Sequence, residues 1–373
     1  MSARIFLKNI YFVLRRTLLR LIPAKAAEEN IRSEEIKSIL VIRIDRIGDV
    51  VASLPALKAL KEAFPQARLS ILVGAGNDAL LQDFPWIDEV IAYQGFSRAI
   101  RQLRQLRFDL AVDFLMDYPL KPALVTYLSR ARLTAGFDIR SRGRFFNLKI
   151  KPSREKKHVS LYILDLAIEI VRVISGRLIQ PSPAYPEIPL SQRNKEYVRF
   201  FLKDNGIAEN DTLIGIFPGG HYPSQRWPVE RFSRLADRII ERYNAKAVVV
   251  GSADDAPLVE RMLGLMKERA VKAVGISLDK LAALIAAMDV FICNNSGPLH
   301  IACLVKTATV STMGPTDPAL WFPLGPGHIV LRQDLPCSPC GLGFCEKHSC
   351  MEFITVEEME NAVDTQLEGR IRK

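Results

Sequence analysis

Short runs of β-branched and apolar residues alternate with amphipathic helical stretches along nearly the whole chain, and the alternation restarts after a proline-rich stretch at residues 181–189. Strands that alternate with helices form parallel βαβ units, because a crossover helix is needed before the next strand can run in the same direction. The pattern predicts strands at Ser38–Ile44, Leu69–Gly74, Glu89–Tyr93, Leu110–Phe114, Leu213–Phe217, Ala247–Gly251, Val290–Cys293 and Thr309–Met313.

The restart predicts an α/β protein with two Rossmann-like domains, each built on a doubly wound parallel sheet. A chain of 373 residues, 49% of them hydrophobic, is long enough to bury two cores. We divide it into an N-terminal segment at 1–35, an N-terminal domain at 36–180, a linker at 181–195 and a C-terminal domain at 196–373.

The positive charge of the chain is concentrated in its first half. Residues 1–186 carry 30 Lys and Arg against 18 Asp and Glu, although the whole chain has a net charge of only +10. A basic domain favours an anionic partner, such as a membrane surface or a phosphorylated lipid. The basic runs lack interleaved aromatic residues, which argues against nucleic acid. A solvated basic face is the simpler alternative.

The N-terminal segment predicts a basic amphipathic helix. The apolar residues of one helical face are Phe6, Ile10, Val13, Leu14 and Leu21, whereas Lys8, Arg15, Arg16 and Arg20 lie outside that face. The arginines exclude a membrane-spanning helix, and no cleavage site for a secretory signal follows an apolar core. The helix either contacts an anionic membrane surface or docks on its own domain.

Polar residues follow the predicted strands where a doubly wound sheet binds its ligands, at the carboxyl ends. After Ile44 come two carboxylates, two guanidiniums and Gly48, so that Asp49 is expected at the start of a helix. An accessible Asp49 is a candidate general base, and a helix-capping role is the alternative.

Two further strand ends predict a site for a phosphorylated ligand. After Phe217, Gly219 and Gly220 let backbone amides approach a phosphate, and Arg226 can bind its oxygens in a bidentate manner. A loop with a capping arginine is the alternative there. After Cys293, the amides near Gly297 offer an anion site, and the candidate side chains are Asn295, Ser296 and His300. A lone histidine in such a position is more often a packing residue.

The order of these motifs resembles one known family. Residues 42–55 (IRIDRIGDVVASLP), the PGG to RWP segment at 218–228 and NNSGPLH at 294–300 are similar to the bacterial ADP-heptose:lipopolysaccharide heptosyltransferases, glycosyltransferase family nine. The resemblance extends from about Ile36 to the end. It implies two Rossmann-like domains in the GT-B arrangement, and an enzyme that transfers heptose from ADP-heptose to a lipopolysaccharide core acceptor with inversion.

The resemblance also implies roles for individual residues. Asp49 matches the base that deprotonates the acceptor hydroxyl. Arg226 stands where the family usually has a lysine that neutralises the leaving diphosphate. Donor binding is implied for Gly219, Gly220, Arg226, Asn295, Ser296, Gly297 and His300. No metal or other cofactor is required for transfer where side chains and helix amides stabilise the diphosphate. The sequence departs from the common Asn-Asp-Ser-Gly motif at Asn295.

The family's acceptor is a phosphorylated, acidic lipid at the inner membrane, which gives the basic half a function. We expect acceptor binding by Arg46, Arg140, Arg142 and Arg144. Further basic residues could orient the protein on the cytoplasmic face of the inner membrane as a peripheral protein. They are Arg98, Arg101, Arg104, Arg107, Lys149, Lys151, Arg154, Lys156 and Lys157.

A cysteine-rich segment at residues 337–350 contains Cys337, Cys340, Cys345 and Cys350. Its Cys-x-x-Cys start is compatible with structural zinc or an iron–sulfur cluster. Disulfides and reduced packing thiols are the alternatives, and a reducing cytoplasm disfavours disulfides. Cys293 and Cys303 are expected in the core.

Three other functions compete with heptose transfer. Gly74-Ala75-Gly76-Asn77-Asp78-Ala79 has the outline of a dinucleotide-binding motif, but it follows the second strand of its domain and lacks the usual acidic residue downstream. A transferase of the same family could use another nucleotide sugar. A non-catalytic family member could serve assembly at the membrane through its basic face and a metal-binding cysteine cluster.

Overall fold

The computed structural model describes Arg15, Thr17, Leu19, Leu21, residues 23–25 and residues 32–371. The chain divides into two compact units, Met1–Pro183 and Ala184–Lys373. Each unit contains one six-stranded parallel sheet flanked by helices. The predicted fold class, two Rossmann-like α/β domains of the GT-B-like type, is confirmed.

The sheet of the first unit has the strand order β3-β2-β1-β4-β5-β6. The side chains of β1 and β4 are almost entirely buried, as expected when helices cover both faces of a parallel sheet. The strands are β1 (Ser38–Arg43), β2 (Arg68–Gly74), β3 (Glu89–Tyr93), β4 (Leu110–Asp113), β5 (Leu133–Phe137) and β6 (Leu148–Ile150).

The helices of the first unit follow its strands. They are α1 (Ile47–Ala63), α2 (Asp78–Leu81), α3 (Phe96–Leu106), α4 (Lys121–Leu128) and α5 (Val159–Ser175). Helix α1 is apolar on most of its circumference and packs against α5. Helix α5 ends at Gly176, whose φ of 68° is the left-handed conformation that favours glycine at a helix end.

The sheet of the second unit has the strand order β12-β11-β10-β7-β8-β9. Its strands are β7 (Leu213–Phe217), β8 (Lys246–Gly251), β9 (Ala270–Val274), β10 (Val290–Asn294), β11 (Thr309–Thr312) and β12 (His328–Leu331). Its helices are α6 (Gln192–Asp204), α7 (Val229–Tyr243), α8 (Ala256–Leu265), α9 (Leu278–Ala286), α10 (Gly297–Leu304), α11 (Pro318–Trp321), α12 (Ser349–Glu352) and α13 (Val356–Ile371).

Both sheets have the same topology when their strands are counted from the start of each unit. The first and fourth strands are neighbours in each, β1 beside β4 and β7 beside β10. The direction of strand addition reverses between them, and ligands of doubly wound sheets bind at the carboxyl side of such a reversal. This position holds the predicted motifs of each unit.

The predicted strands agree with the structure to within one residue at each end. Strands β5, β6, β9 and β12 were not predicted. Strands β6, β9 and β12 are edge strands, and their three to five partly exposed residues give only a weak strand signal.

The basic amphipathic helix predicted within residues 1–35 lies largely outside the described residues. The guanidinium of Arg15 is buried and donates to the carbonyl of Tyr118 at 2.5 Å. Leu19 is buried in a cluster with Ala123, Phe145 and Phe146. These two residues contact the first unit, as the docked alternative predicts for this part of the segment. Within the described part of the chain, no helix is both long and apolar enough to span a membrane.

Candidate active site

Asp49 lies in the first turn of α1, directly beyond the carboxyl end of β1. Its side chain is 24% exposed, and Oδ1 lies 3.2 Å from Nη2 of Arg43. The residue before the helix, Arg46, has extended backbone and makes no capping bond with its side chain. The position predicted for Asp49 is therefore observed, and its carboxylate is available to solvent.

Arg43 is the last residue of β1, and only 1% of its side chain is exposed. Its Nε donates to the backbone carbonyl of Asp49 at 3.1 Å, and Nη1 donates to the carbonyl of Phe114 at 2.9 Å. Nη1 also lies 3.2 Å from Oδ2 of Asp45. The buried cation is thus compensated by two carboxylates and two carbonyl oxygens, as burial of a guanidinium requires.

Asp45 has an unusual electrostatic environment. Burial raises its pKa to about 6, and the neighbouring charges of Asp49 and Asp113 act in the same direction, whereas Arg43 and Arg142 lower it. A carboxyl group with such a pKa changes its charge near neutral pH.

Arg142 lies in the 3₁₀ turn Arg142–Phe145, which follows β5, and its side chain is fully buried. Nη2 pairs with the buried Asp113 at the end of β4, and Nη1 donates to the carbonyls of Leu115 and Asp117 at 2.6 Å each. The structure therefore does not support the predicted contact between Arg142 and an acceptor. Its charge and donors are used to fix the carboxyl end of β4.

The other predicted acceptor residues lie nearer the surface. Arg46 and Arg140 are exposed, and Arg144 is half-buried. Exposed members of the basic runs are Arg98, Arg101, Arg104, Arg107, Lys149, Lys151, Arg154 and Lys156. Lys157 differs, because it is half-buried and pairs with Asp165.

In the second unit, the fully buried Asn294 at the end of β10 connects the loop that follows β7 to the end of β11. Its Oδ1 accepts bonds from the backbone N–H of Trp227 at 2.9 Å and from Oγ1 of Thr312 at 2.8 Å. Its Nδ2 donates to the carbonyls of Pro218 and Gly219 at 3.0 and 2.8 Å. One amide group therefore fixes both ends of the segment 218–227.

The predicted phosphate-binding residues lie within that segment. Gly219 has no room for a side chain, since an added Cβ would lie 2.6 Å from the ring of Phe217 and 2.8 Å from Oδ1 of Asp255. Nε of the half-buried Arg226 donates to the carbonyl of Gly220 at 2.9 Å. No carboxylate in the described ranges forms an ion pair with Arg226, which leaves its positive charge for an anion.

The third strand end places the remaining residues that are predicted to bind the donor at the start of α10. Ser296 precedes the helix, Gly297 begins it, and Pro298 occupies its first turn. Nδ2 of the buried Asn295 donates to the carbonyl of Trp321 at 3.1 Å. His300 is buried with its ring centroid 5.6 Å from that of Trp321. Donor contacts from Asn295 and His300 stay predictions, and both side chains already pack within the unit.

The cysteine-rich segment 337–350 packs against the loops that follow β7 and β11. Ser338 Oγ donates to the carbonyl of Gly314 at 2.8 Å, and the amide of Gly341 donates to that of Pro315 at 2.8 Å. Oγ of the buried Ser224 donates to the carbonyl of Leu342 at 2.5 Å. Nε2 of His348 lies 3.1 Å from the carbonyl oxygen of Ser224. The segment thus supports the loop that carries Arg226.

The cysteines themselves are unpaired thiols. Cys337 and Cys340 are exposed, whereas Cys350 is buried. Burial raises the pKa of the Cys350 thiol, and Cys340, Cys337 and Cys345 add to the effect. No group of three or more Cys, His, Asp or Glu side chains among residues 32–371 is arranged to hold a metal. The structure therefore does not support zinc or an iron–sulfur cluster at Cys337, Cys340, Cys345 and Cys350.

Each unit thus has polar residues at the carboxyl ends of its central strands. A comparison of the chain with known protein families identifies a family. The sequence model described as glycosyltransferase family 9 (heptosyltransferase) matches residues 96–348, more than half of the chain. The protein belongs to glycosyltransferase family 9. The matched residues include the donor-side motifs, and Asp49 precedes them.

Three proteins named as heptosyltransferases resemble the chain over most of their length. Lipopolysaccharide heptosyltransferase 2 of Salmonella typhimurium is 24% identical over 315 residues, which cover 79% of this chain and 87% of the relative. The structure of E. coli ADP-heptose lps heptosyltransferase II has a TM-score of 0.76 at 23% identity and covers 89% of this chain and 99% of its own. E. coli heptosyltransferase WaaC with ADP-2-deoxy-2-fluoro heptose has a TM-score of 0.65 at 16% identity, with 88% and 99% covered.

Family membership confirms the resemblance drawn from the three motifs. The sequence alone did not identify Arg43, Asp113 and Asn294 as organising residues of these strand ends. A charged or amide side chain at the end of a buried strand is the signal that points to them, because such a group must find buried partners.

Proposed function

We propose that the protein transfers heptose from ADP-heptose to a lipopolysaccharide core acceptor, with inversion at the anomeric carbon. The observation that carries the proposal is the Asp49 carboxylate, which is held by Arg43 and is 24% exposed at the carboxyl end of β1. The relatives whose names include heptosyltransferase, and the related structure with an ADP-heptose analogue, support the choice of donor.

In the proposed reaction, Asp49 accepts the proton of the acceptor hydroxyl while the oxygen of that hydroxyl attacks the anomeric carbon of the donor. A new carbon–oxygen bond forms, and the bond from that carbon to the diphosphate breaks. ADP leaves with the electron pair of the broken bond, and the proton stays on Asp49 until solvent removes it.

Departure of ADP places negative charge on a diphosphate oxygen. Arg226 supplies a guanidinium without a carboxylate partner among the described residues, and the amides beside Gly219 and Gly220 add dipoles. Fixed donors of this kind stabilise the leaving group, so we propose that transfer requires no metal ion. Arginine in place of lysine keeps the charge and offers two parallel donors.

We also propose that the protein acts on the cytoplasmic face of the inner membrane. The exposed basic residues of the first unit, Arg98, Arg101, Arg140, Lys149, Lys151 and Arg154 among them, support this location. Exposed cations attract anionic headgroups within about one Debye length. Co-sedimentation with phosphatidylglycerol vesicles, lost at high salt and absent with phosphatidylcholine, would support the proposal. Equal sedimentation with both lipids would oppose it.

The decisive test of heptose transfer is mass spectrometry of a heptose-deficient lipopolysaccharide after incubation with ADP-heptose. We expect one added heptose with the wild type, with or without EDTA. Asp49→Asn should lower kcat by about 10²–10⁴-fold, the usual contribution of a general base. Asp78→Asn, at the start of α2, is the matched control and should retain activity.

This experiment tests the choice of donor and the assignment of the base by different outcomes. Transfer from another nucleotide sugar, with none from ADP-heptose, would show that ADP-heptose is the wrong donor and that the protein is still a glycosyltransferase. Undiminished transfer by Asp49→Asn would remove Asp49 from the mechanism. Donor binding without transfer to any acceptor would favour a non-catalytic function.

A further inference from the structure

Arg43 contacts Asp49 twice, through backbone and side chain. Nε donates to the Asp49 carbonyl at 3.1 Å, and Nη2 lies 3.2 Å from its Oδ1. The first contact fixes where the first turn of α1 begins, and the second fixes the direction of the carboxylate. Because both contacts come from one planar group, the position of the helix and the orientation of the side chain are coupled.

The contact leaves part of the carboxylate open. Within residues 32–371, Oδ2 of Asp49 accepts no hydrogen bond, whereas Oδ1 has Arg43 as its partner. One oxygen is therefore held by the protein and the other is available to a hydroxyl proton. A base oriented in this way loses little freedom when the acceptor binds.

Asp45 competes for the same guanidinium through its contact with Nη1. The charged groups that act on Asp45 lie on four elements: Arg43 on β1, Asp49 on α1, Asp113 on β4 and Arg142 after β5. The loop after β2 contributes an uncharged contact, from Nδ2 of Asn77 to the Asp45 carbonyl. Asp113 is already paired with Arg142, which leaves Arg43 as the cation shared by Asp45 and Asp49. Removal of the Asp45 charge would give Asp49 a larger share of the field of Arg43.

We propose that Arg43 is the positioning residue for the base Asp49, and that Asp45 weakens the hold of Arg43 on it by competing for the same guanidinium. This inference depends on the proposed function, because it assigns a partner to the proposed base. It makes opposite predictions for the two neighbours. Removal of Arg43 releases the base from its orienting contact, whereas neutralisation of Asp45 leaves Arg43 to hold the base more firmly.

The test is the pH dependence of kcat/KM for heptose transfer by Arg43→Lys, Arg43→Met and Asp45→Asn. For Arg43→Met we expect kcat to fall about 10²-fold, with KM for ADP-heptose within about threefold of the wild type. Its acidic limb should move to higher pH, because the carboxylate has lost its cation. Arg43→Lys should restore part of the rate. Asp45→Asn should match the wild type below about pH 6, where Asp45 is itself protonated, and should have a higher kcat/KM above that pH.

Arg142→Lys is the matched control for loss of a buried guanidinium, since Arg142 makes no contact with Asp49. It should lower the melting temperature but leave the acidic limb in place. A wild-type rate and profile in Arg43→Met would overturn the inference. The inference would also be overturned if Arg43→Met and Arg142→Lys both lost rate and neither moved the limb. That result would show a general structural effect.

Two further outcomes separate the inference from the proposed function. If Asp49→Asn keeps full activity, the proposed base is wrong whatever the Arg43 variants do. If Asp49→Asn is inactive and Arg43→Met is normal, only the role of Arg43 is wrong. Should neither Arg43 variant fold, Asp45→Asn decides alone: a kcat/KM that exceeds the wild type only above about pH 6 supports the competition, and an unchanged kcat/KM at all pH values overturns it.

Discussion

The backbone N–H of Trp227 donates to Oδ1 of Asn294 at 2.9 Å, and Nδ2 of the same amide donates to the carbonyl of Pro218 at 3.0 Å. A single buried side chain thus closes the loop that carries Arg226 at both of its ends. Four buried partners depend on this amide, including Gly219 and Thr312.

Replacement of Asn294 by Ala should be severely destabilising. The change leaves a buried N–H and two buried carbonyls without partners, so we expect the free energy of unfolding to fall by about 3–5 kcal/mol. Urea denaturation measures this loss. The control is Asn205→Ala, which removes one bond to the carbonyl of Phe201 and should cost about 1 kcal/mol. Equal losses in the two variants would contradict the role of Asn294.

Replacement of Asn295 by Asp restores the residue common in the family but should destabilise this chain. The amide donates to the Trp321 carbonyl at 3.1 Å, and a buried carboxylate would face that oxygen without a donor. The pKa of the new carboxyl group should rise, so the loss of stability grows with pH. We expect about 1–3 kcal/mol at pH 8 and less at pH 5.

Thermal unfolding at both pH values tests this expectation, with Asn295→Ala as an uncharged control whose loss should not depend on pH. Transfer activity provides a separate comparison. A rise in activity in Asn295→Asp would show that the donor prefers a carboxylate here despite the cost to folding.

Replacement of Ser224 by Ala should weaken donor binding. Its hydroxyl joins the loop of Arg226 to the Leu342 carbonyl in the cysteine-rich segment. Loss of one such bond corresponds to about 1 kcal/mol, so KM for ADP-heptose should rise about 3–10-fold with little change in kcat. Steady-state kinetics measure both. Ser349→Ala, whose hydroxyl is exposed and 3.5 Å from the Lys347 carbonyl, should behave as wild type.

Replacement of Asp45 by Asn should stabilise the protein at alkaline pH. Burial raises the pKa of Asp45 from its ordinary value of 3.8 to about 6. The folded protein therefore binds this proton more tightly than the unfolded chain, and the associated stability is present below pH 4 and lost as pH rises through about 6.

Asparagine removes that dependence, so at pH 8 the variant should exceed the wild type by about 1–3 kcal/mol in free energy of unfolding. At pH 4 the difference should nearly vanish. Urea denaturation at pH 4, 6 and 8 measures it. The exposed Asp254, changed to Asn, serves as the control. A wild-type stability that rises between pH 4 and pH 8 relative to Asp45→Asn would contradict the prediction.

Much of the fold followed from the sequence because its signals are local. The buried runs of β1, β7 and β10 are apolar without interruption, which identifies central parallel strands. Edge strand β6 is three residues long and contains Lys149, so its apolar signal is too short to recognise. The three motifs were sufficient for the family because each lies directly after such a strand.

The partners within the sites could not be predicted in the same way, because they depend on contacts distant in sequence. Arg142 belongs to a basic run, and its burial follows from Asp113, which lies 29 positions earlier on another strand. The cysteine spacing resembled a metal site, but only the fold shows that Cys350 is buried and that Cys337 is exposed. Composition and spacing do not contain this information.

The connections that Asn294 makes to the segment 218–227 all end on backbone atoms: two carbonyl oxygens and one N–H. The loop can therefore keep its course when its exposed side chains change. His221 and Tyr222 are exposed and take no part in those bonds. The exposed side chains of such a loop can change during evolution, or in a combinatorial library, while its backbone conformation stays the same. On the proposed function, substitution of these exposed side chains would vary the contacts with the donor without rebuilding the sheet beneath them.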